Sequence, residues 1–264
     1  MFKPKSTSDA KVDGPTKVLL YSHHGFGKTY QTRFYQERYG PGLLISGEAG
    51  LKSISDVDID YLPFTSWDGK HDPEKEIYSY RGICRMMTTP EFKEYGYQWI
   101  ALDSLTELSE RLLDYLEEEH KGSTNKFAIW QDYSRLMLGT LKWLRDMPIH
   151  VYVSCLAKEE SDDNGATQYW PLTKGQAVSK HIPALFDHVF AGVRVAEKDA
   201  AGVTKVKRFL VTDEVGGWHG KVRDPRGRLR PYEPAEGGIP NLLRRMSMSE
   251  EEFAKVIEPT ETAE

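Results

Sequence analysis

The sequence predicts an α/β fold, a mostly parallel sheet flanked by helices with antiparallel strands at its C-terminal edge. Two observations predict it. Up to about residue 156, short apolar runs alternate with segments of helical spacing, the pattern of strands joined by helical crossovers. After that, "HVFAGVRVAEK" and "VTKVKRFLVTDE" follow each other closely enough to pair as a hairpin. A chain of 264 residues, 39% of them hydrophobic, is long enough to bury one large core.

Residues 1–15, "MFKPKSTSDAKVDGP", are polar, contain two prolines and read as a flexible arm. The folded region is expected over 16–245, with a helix and frayed tail over 246–264. "KVLLYS" is a short apolar run and reads as a buried strand. "KTYQTRFYQERYG" has helical spacing and ends at Gly40, a helix-terminating glycine. "GLLIS" is a second strand and "DIDYLPFTS" holds a third. A helix is expected within "DPEKEIYSYRGICRMMTTPEFKEYG". "WIALD" is a strand, and the helix after it carries Leu105, Leu108, Leu112 and Leu116 on one face. "KGSTNK" reads as a loop, "IWQDYSRLMLGTLKWLRDM" as an amphipathic helix stopped by Pro148, and "IHVYVSCL" as a buried strand. Residues 157–173 turn polar and read as a long loop or a hairpin. A short helix precedes the two paired strands, and "GIPNLLRRMSMSEEEFAKVIE" is helical.

The chemistry is concentrated at "SHHGFGKTY", residues 22–30: Ser22, His23, His24, Gly25, Phe26, Gly27, Lys28, Thr29 and Tyr30. A strand, a glycine-bearing turn and a helix start form the context of a phosphate-binding loop. In such a loop backbone N–H groups and the helix N-terminus face the phosphates. Gly25 and Gly27 let the backbone curl around the ligand. Lys28 would reach the β- and γ-phosphates, and Thr29 would ligate Mg²⁺. Ser22 stands where the pattern has its first glycine. His23 and His24 read as loop residues facing solvent. Asp103, at the end of "WIALD", has two readings, a carboxylate for the Mg²⁺ shell or the N-cap of the next helix. With the loop about 75 residues upstream, the metal role is favoured. Glu48 lies just past the second strand, where an open α/β sheet binds its ligands, and could polarise an attacking water as general base.

Composition narrows the classes further. No apolar run approaches membrane-spanning length, and the N-terminal residues lack the apolar core of a secretion signal. The two cysteines, Cys84 and Cys155, have no metal-ligand spacing and fit a reducing cytoplasm. A net charge of −5 argues against a generally basic nucleic-acid binder but leaves room for a local basic groove.

In their order, "SHHGFGKT", "ISGEAGL", "IALDSLTEL" and "IHVYVSCL" resemble the core of RecA-type ATPases, and in particular the short phage-encoded ATPases of the Sak single-strand-annealing type. The likeness runs from about Thr16 to Arg245. It implies a RecA-like P-loop NTPase core using ATP and Mg²⁺, with Lys28 and Thr29 on phosphate and metal, Glu48 as catalytic base and Asp103 as the second metal carboxylate. It also implies single-stranded DNA as partner, a homo-oligomeric ring or filament, recombination or replication proteins nearby, and the cytoplasm of a bacterial host. The γ-phosphate sensor of such proteins would fall at Ser154 or Cys155, with Cys155 otherwise a buried structural thiol. The DNA-contacting loops would fall at about 118–128 and 157–173, which carry Lys121, Lys126 and Lys158. Lys221 and Arg223, two apart in "GWHGKVRDPRGRLRPY", would either reach a neighbouring subunit's γ-phosphate or belong, with Arg226, Arg228 and Arg230, to a solvated basic patch. The alternatives to a DNA-dependent ATPase are a nucleotide-gated adaptor that hydrolyses little, a helicase-like motor and, least favoured, a small-molecule kinase.

Overall fold

The computed structural model describes residues 14–48, 50–69, 72–75, 77–198 and 202–257. Residues 1–13 of the arm expected over 1–15, and residues 258–264 of the tail expected over 246–264, lie outside the described residues.

The chain opens with β1 (Lys17–Ser22), a 3-10 turn over Thr29–Gln31 and α1 (Thr32–Tyr39). Next come β2 (Gly42–Ser46), β3 (Asp60–Pro63) and two short helices, α2 (Tyr80–Met86) and α3 (Pro90–Glu94). A single helix was expected in that last region. Pro90 sits in the first turn of α3 and cannot continue a preceding helix, so the segment divides there. Then follow β4 (Trp99–Asp103), α4 (Leu105–Glu119), α5 (Lys126–Arg145), β5 (His150–Ser161), β6 (Thr167–Pro171) and α6 (Gln176–His181). The chain closes with β7 (His188–Lys198), β8 (Thr204–Val211), β9 (Glu214–Val215), β10 (Trp218–His219), β11 (Tyr232–Pro234), α7 (Ile239–Ser247) and α8 (Glu250–Ile257).

The main sheet runs β11-β8-β7-β1-β5-β4-β2-β3. From β7 to β3 every pairing is parallel, and β8 and β11 add antiparallel strands at the edge. This is the predicted architecture. Its parallel strands, the exposed edge strand β3 apart, are largely apolar on both faces because helices cover both. Leu19, Tyr21, Ile45, Leu102 and Val153 face a core closed by α4 and α5, to which Leu105, Leu108, Leu112 and Leu116 all contribute. Val18, Leu20, Leu44, Trp99 and Tyr152 face the opposite core, closed by Tyr35 of α1 and Ile239, Leu242, Leu243 and Met246 of α7. α7 is thus part of the core and runs to Ser247, so the expected boundary at residue 245 falls inside a helix.

The stretch 157–173 is a hairpin. β5 continues beyond its buried half to pair with β6, from Ala157↔Pro171 to Ser161↔Thr167. Asp162 closes the turn by accepting from the N–H groups of Asn164 and Ala166, at 2.9 and 2.8 Å.

Candidate functional site

The carboxyl ends of β1, β2 and β4 and the middle of β5 converge on one cluster of polar side chains. Ser22 is the last residue of β1, fully buried and in parallel register with Leu156 and Gly192. Its backbone is therefore extended, which any residue adopts. The substitution of the expected glycine is accommodated next door, because a Cβ at Gly192 would lie 2.8 Å from Ser22 Cβ and 2.8 Å from the Phe26 ring. The glycine that the loop lacks at position 22 is supplied at 192.

Lys28 is buried and folds back on its own loop, donating to the carbonyl of His23 at 3.2 Å and to Ser22 O at 3.4 Å. No carboxylate lies within ion-pair distance of it among the described residues. Burial holds its ammonium below the usual lysine range, with Glu48 and Asp103 acting in the opposite direction. Tyr152, from β5, donates to Lys28 O at 2.8 Å and ties the start of the helix to the sheet. His23 and His24 are exposed, as expected, yet the His23 ring also stands edge-on to Tyr169 and Trp218, at 5.6 and 5.5 Å. Tyr30 is exposed and its hydroxyl bonds Arg33.

β5 lies between β1 and β4, so Asp103 is not on the strand adjacent to the loop. Thr29 closes the gap, its hydroxyl donating to Asp103 Oδ2 at 2.6 Å. Ser154, on the intervening strand, donates to the other carboxylate oxygen. The capping role of Asp103 falls away. Ser104 is the N-cap of α4, its hydroxyl accepting from Glu107 N at 3.3 Å. The same Ser104 hydroxyl bonds Glu48 Oε1. The loop bearing Glu48 is pinned by Gly47 N donating to Asp103 O at 2.8 Å. Burial raises the Glu48 carboxyl above its ordinary range; the Ser104 bond opposes that, and the charge of Asp103 adds to it. Of the two sensor candidates, Ser154 belongs to the cluster. Cys155 points to the other face, is fully buried, touches Thr106 and has its thiol pushed up to about 12 by burial.

These groups fit a divalent cation shared with a nucleotide. Thr29 and Asp103 are hard oxygen donors of the kind Mg²⁺ takes, and Mg²⁺ is commonly held by one or two carboxylates together with substrate phosphates. Among the described residues no cluster of three or more His, Cys, Asp or Glu forms a self-sufficient metal cage. When bound there, Mg²⁺ would neutralise charge on the β- and γ-phosphates.

The remaining sequence candidates lie elsewhere. Lys221 pairs through its backbone with Val189 near the start of β7, and its ammonium donates to Pro183 O at 2.9 Å. Arg223 lies 3.4 Å from Asp187. Asp187 in turn bonds Lys17 at the first residue of β1, about 16 Å from Ser22 at 3.3 Å per residue. Neither cation enters this chain's own loop. Nor is the basic segment wholly solvated: Arg228 is buried, donates to Arg245 O, pairs with Glu250 at 2.8 Å and lies over the Phe253 ring. In the two expected DNA loops, Lys121 pairs with Glu118 at 3.0 Å and Lys158 pairs with Glu160.

Sequence reasoning missed Ser104, Tyr152, Gly192 and Arg194, whose guanidinium lies 3.5 Å from Gly25 O. No single motif marks them, because only strand register brings them to the loop.

A strand-borne phosphate loop with its lysine, a hydroxyl joined to a strand-end carboxylate and a second carboxylate above them define a P-loop nucleotide-binding domain. The chain belongs to the AAA domain family, whose profile matches residues 14–223. No curated protein matches it. Among solved structures it is similar to the crystal structure of the flagellar accessory protein FlaH from Methanocaldococcus jannaschii. That likeness has a TM-score of 0.41 and 11% identity, and covers 88% of this chain and 93% of that one. Among the described residues no helix is long and apolar enough to cross a membrane.

Proposed function

We propose that this chain is an Mg²⁺-dependent ATPase of phage DNA recombination or replication, working as a homo-oligomer on single-stranded DNA in annealing or strand pairing. The observation that carries the ATPase reading is the Thr29–Asp103 contact with Glu48 beside it, held by Ser104. Lys28 binds the phosphates and Thr29 and Asp103 hold the cation. Ionised Glu48 accepts a proton from the water that attacks the γ-phosphorus. Because the carboxyl of Glu48 is raised, turnover falls on acidification at a higher pH than an ordinary glutamate would give.

The DNA reading is supported by the order of the motifs and by the β7–β8 ribbon. Beyond Gly192, and apart from Arg194 and Arg208 on its loop-bearing face, the ribbon carries Lys198, Lys205 and Lys207 against Glu197 among its described residues. Lys221 and Arg223 retain a role only toward a neighbouring subunit. Steady-state ATP hydrolysis with and without single-stranded DNA, at low and high salt, tests the proposal. Stimulation by DNA that weakens as salt rises supports it. ATP binding with no turnover under any condition would instead make the chain a nucleotide-gated adaptor.

A further inference from the structure

Two arginines stand beside the phosphate loop on the side away from Glu48. The loop packs on the face of β7 that carries Gly192, where Phe26 and Ser22 make their close approach. Arg194, two residues further along the strand, shares that face. Its Nη1 lies 3.5 Å from Gly25 O, and a Cβ at Gly25 would meet the same nitrogen at 2.9 Å. Gly25 also has a φ of +73°, a backbone conformation that favours glycine, and the tip of Arg194 rests where a side chain there would begin. In the antiparallel register Arg194 lies directly opposite Arg208, which places both guanidiniums on the loop-bearing face.

Like charges directly opposite one another destabilise a strand pair. Here both arginines are exposed, and among the described residues neither has a carboxylate at ion-pair distance. The ribbon's other face is arranged differently, since Lys207 has Glu197 at 2.7 Å. Two unneutralised arginines on one face, Arg194 against the phosphate loop and Arg208 opposite it in register, suit an anion, since a planar guanidinium matches phosphate oxygens.

We propose that Arg194 and Arg208 clamp the phosphate chain of the bound nucleotide at its α-phosphate end. The proposal rests on the P-loop reading. Glu48, and Asp103 with Thr29, mark the γ-end on the β2/β4 side, and Lys28 spans the middle. β7 lies on the opposite side of β1, so the α-end faces the two arginines. Nucleoside di- and triphosphates both carry an α-phosphate. The clamp therefore grips ATP and ADP alike and does not report the γ-phosphate.

Calorimetric titration of the full chain with Mg·ATP and with Mg·ADP tests the clamp. The comparison includes wild type, Arg194→Ala, Arg194→Lys and Arg208→Ala, with Val195→Ala on the ribbon's other face as control. Arg194→Ala is expected to weaken both nucleotides by about 10-fold or more and to a similar degree. Arg208→Ala should weaken both by less, Arg194→Lys should recover part of the loss, and Val195→Ala should bind as wild type. Wild-type affinity in Arg194→Ala overturns the clamp, as does a loss confined to ATP, which would place the arginine at the γ-end. An equal loss in Val195→Ala overturns it too, by tracing the effect to the ribbon's shape. A wild-type chain that binds neither nucleotide defeats the P-loop reading itself, and is told apart by that result alone.

Discussion

The two ends of the central sheet each bury a cluster of charged and titratable groups, and they treat those groups in opposite ways. At the amino-terminal end, Lys17 is buried and its ammonium is lowered to about 8 by that burial, yet it donates to Met147 O at 2.7 Å and to Ile149 O. Thr16 bonds His150 Nδ1, Arg223 N donates to His188 Nδ1 at 3.3 Å, and Lys221 is tied to Pro183 O. At the carboxyl end, Lys28 makes only longer bonds to its own loop, and Glu48 and Asp103 hold their charges on hydroxyl groups. Both ends contain shifted groups. Only one leaves cations and carboxylates with capacity for a ligand. Shifted ionisation alone therefore does not mark the site; unspent hydrogen-bonding capacity does.

The sharpest way to break this contrast is to remove one lysine from each end. Lys28→Ala is expected to weaken Mg·ATP by at least about 100-fold while leaving thermal unfolding nearly unchanged. Lys17→Ala should do the reverse, lowering stability by about 1–3 kcal/mol with nucleotide affinity intact. Equal effects of the two on binding would dissolve the distinction.

Acid unfolding probes the amino-terminal end most strongly, because both His188 and His150 are lowered to about 4 there. Burial holds His188 neutral, its pKa lowered from 6.5 to about 4. Between those values the unfolded chain binds the proton that the folded chain refuses. The stabilising contribution is thus complete above pH 6.5 and is lost as the pH falls toward 4. At 1.36 kcal/mol per pKa unit it amounts to about 3 kcal/mol. Urea unfolding across that range should show the loss, and His188→Gln should reduce the dependence while leaving the share of His150, which burial also lowers to about 4.

A smaller effect is expected where the loop meets β7. Gly192→Ala would push Ser22 and Phe26 apart, costing about 1–3 kcal/mol in unfolding free energy. It should also weaken nucleotide binding, since those two residues belong to the loop. Smallest is the pair Lys221→Ala and Arg223→Ala. With Arg223 in an exposed ion pair, stability should change by about 1 kcal/mol or less. Turnover should fall only under conditions in which the chain is assembled, which sedimentation alongside the activity assay would show.

Much of the fold was legible in the sequence because a parallel strand buried on both faces is a continuous apolar run. β1, β2 and β4 begin and end where "KVLLYS", "GLLIS" and "WIALD" do. β5 runs on past "IHVYVSCL", because its outer third, Lys158 to Ser161, leaves the core and carries the polar residues of a ribbon. Lys28 and Thr29 were legible because a phosphate loop is local in sequence, and the structure joins Thr29 to Asp103. Glu48 follows from the rule that ligands bind beyond strand ends, and the structure sets it against Ser104, next to Asp103. Ser104 and Ser154 were not legible as partners, since a serine after a strand has many uses and only register joins these to Glu48 and Asp103. Arg194 reads as an ordinary cation of an alternating strand until β7 is seen beside β1. Lys221 and Arg223 depend on topology in the same way. Their spacing was local, but their position depends on which end of β7 they meet.

The most direct test of the carboxyl-end cluster as a hydrolytic site is steady-state ATP hydrolysis by Glu48→Gln beside wild type, with ATP binding measured on the same preparations. Retained binding with turnover reduced by about 100-fold or more is the expected result. Turnover at the wild-type rate in Glu48→Gln would contradict it.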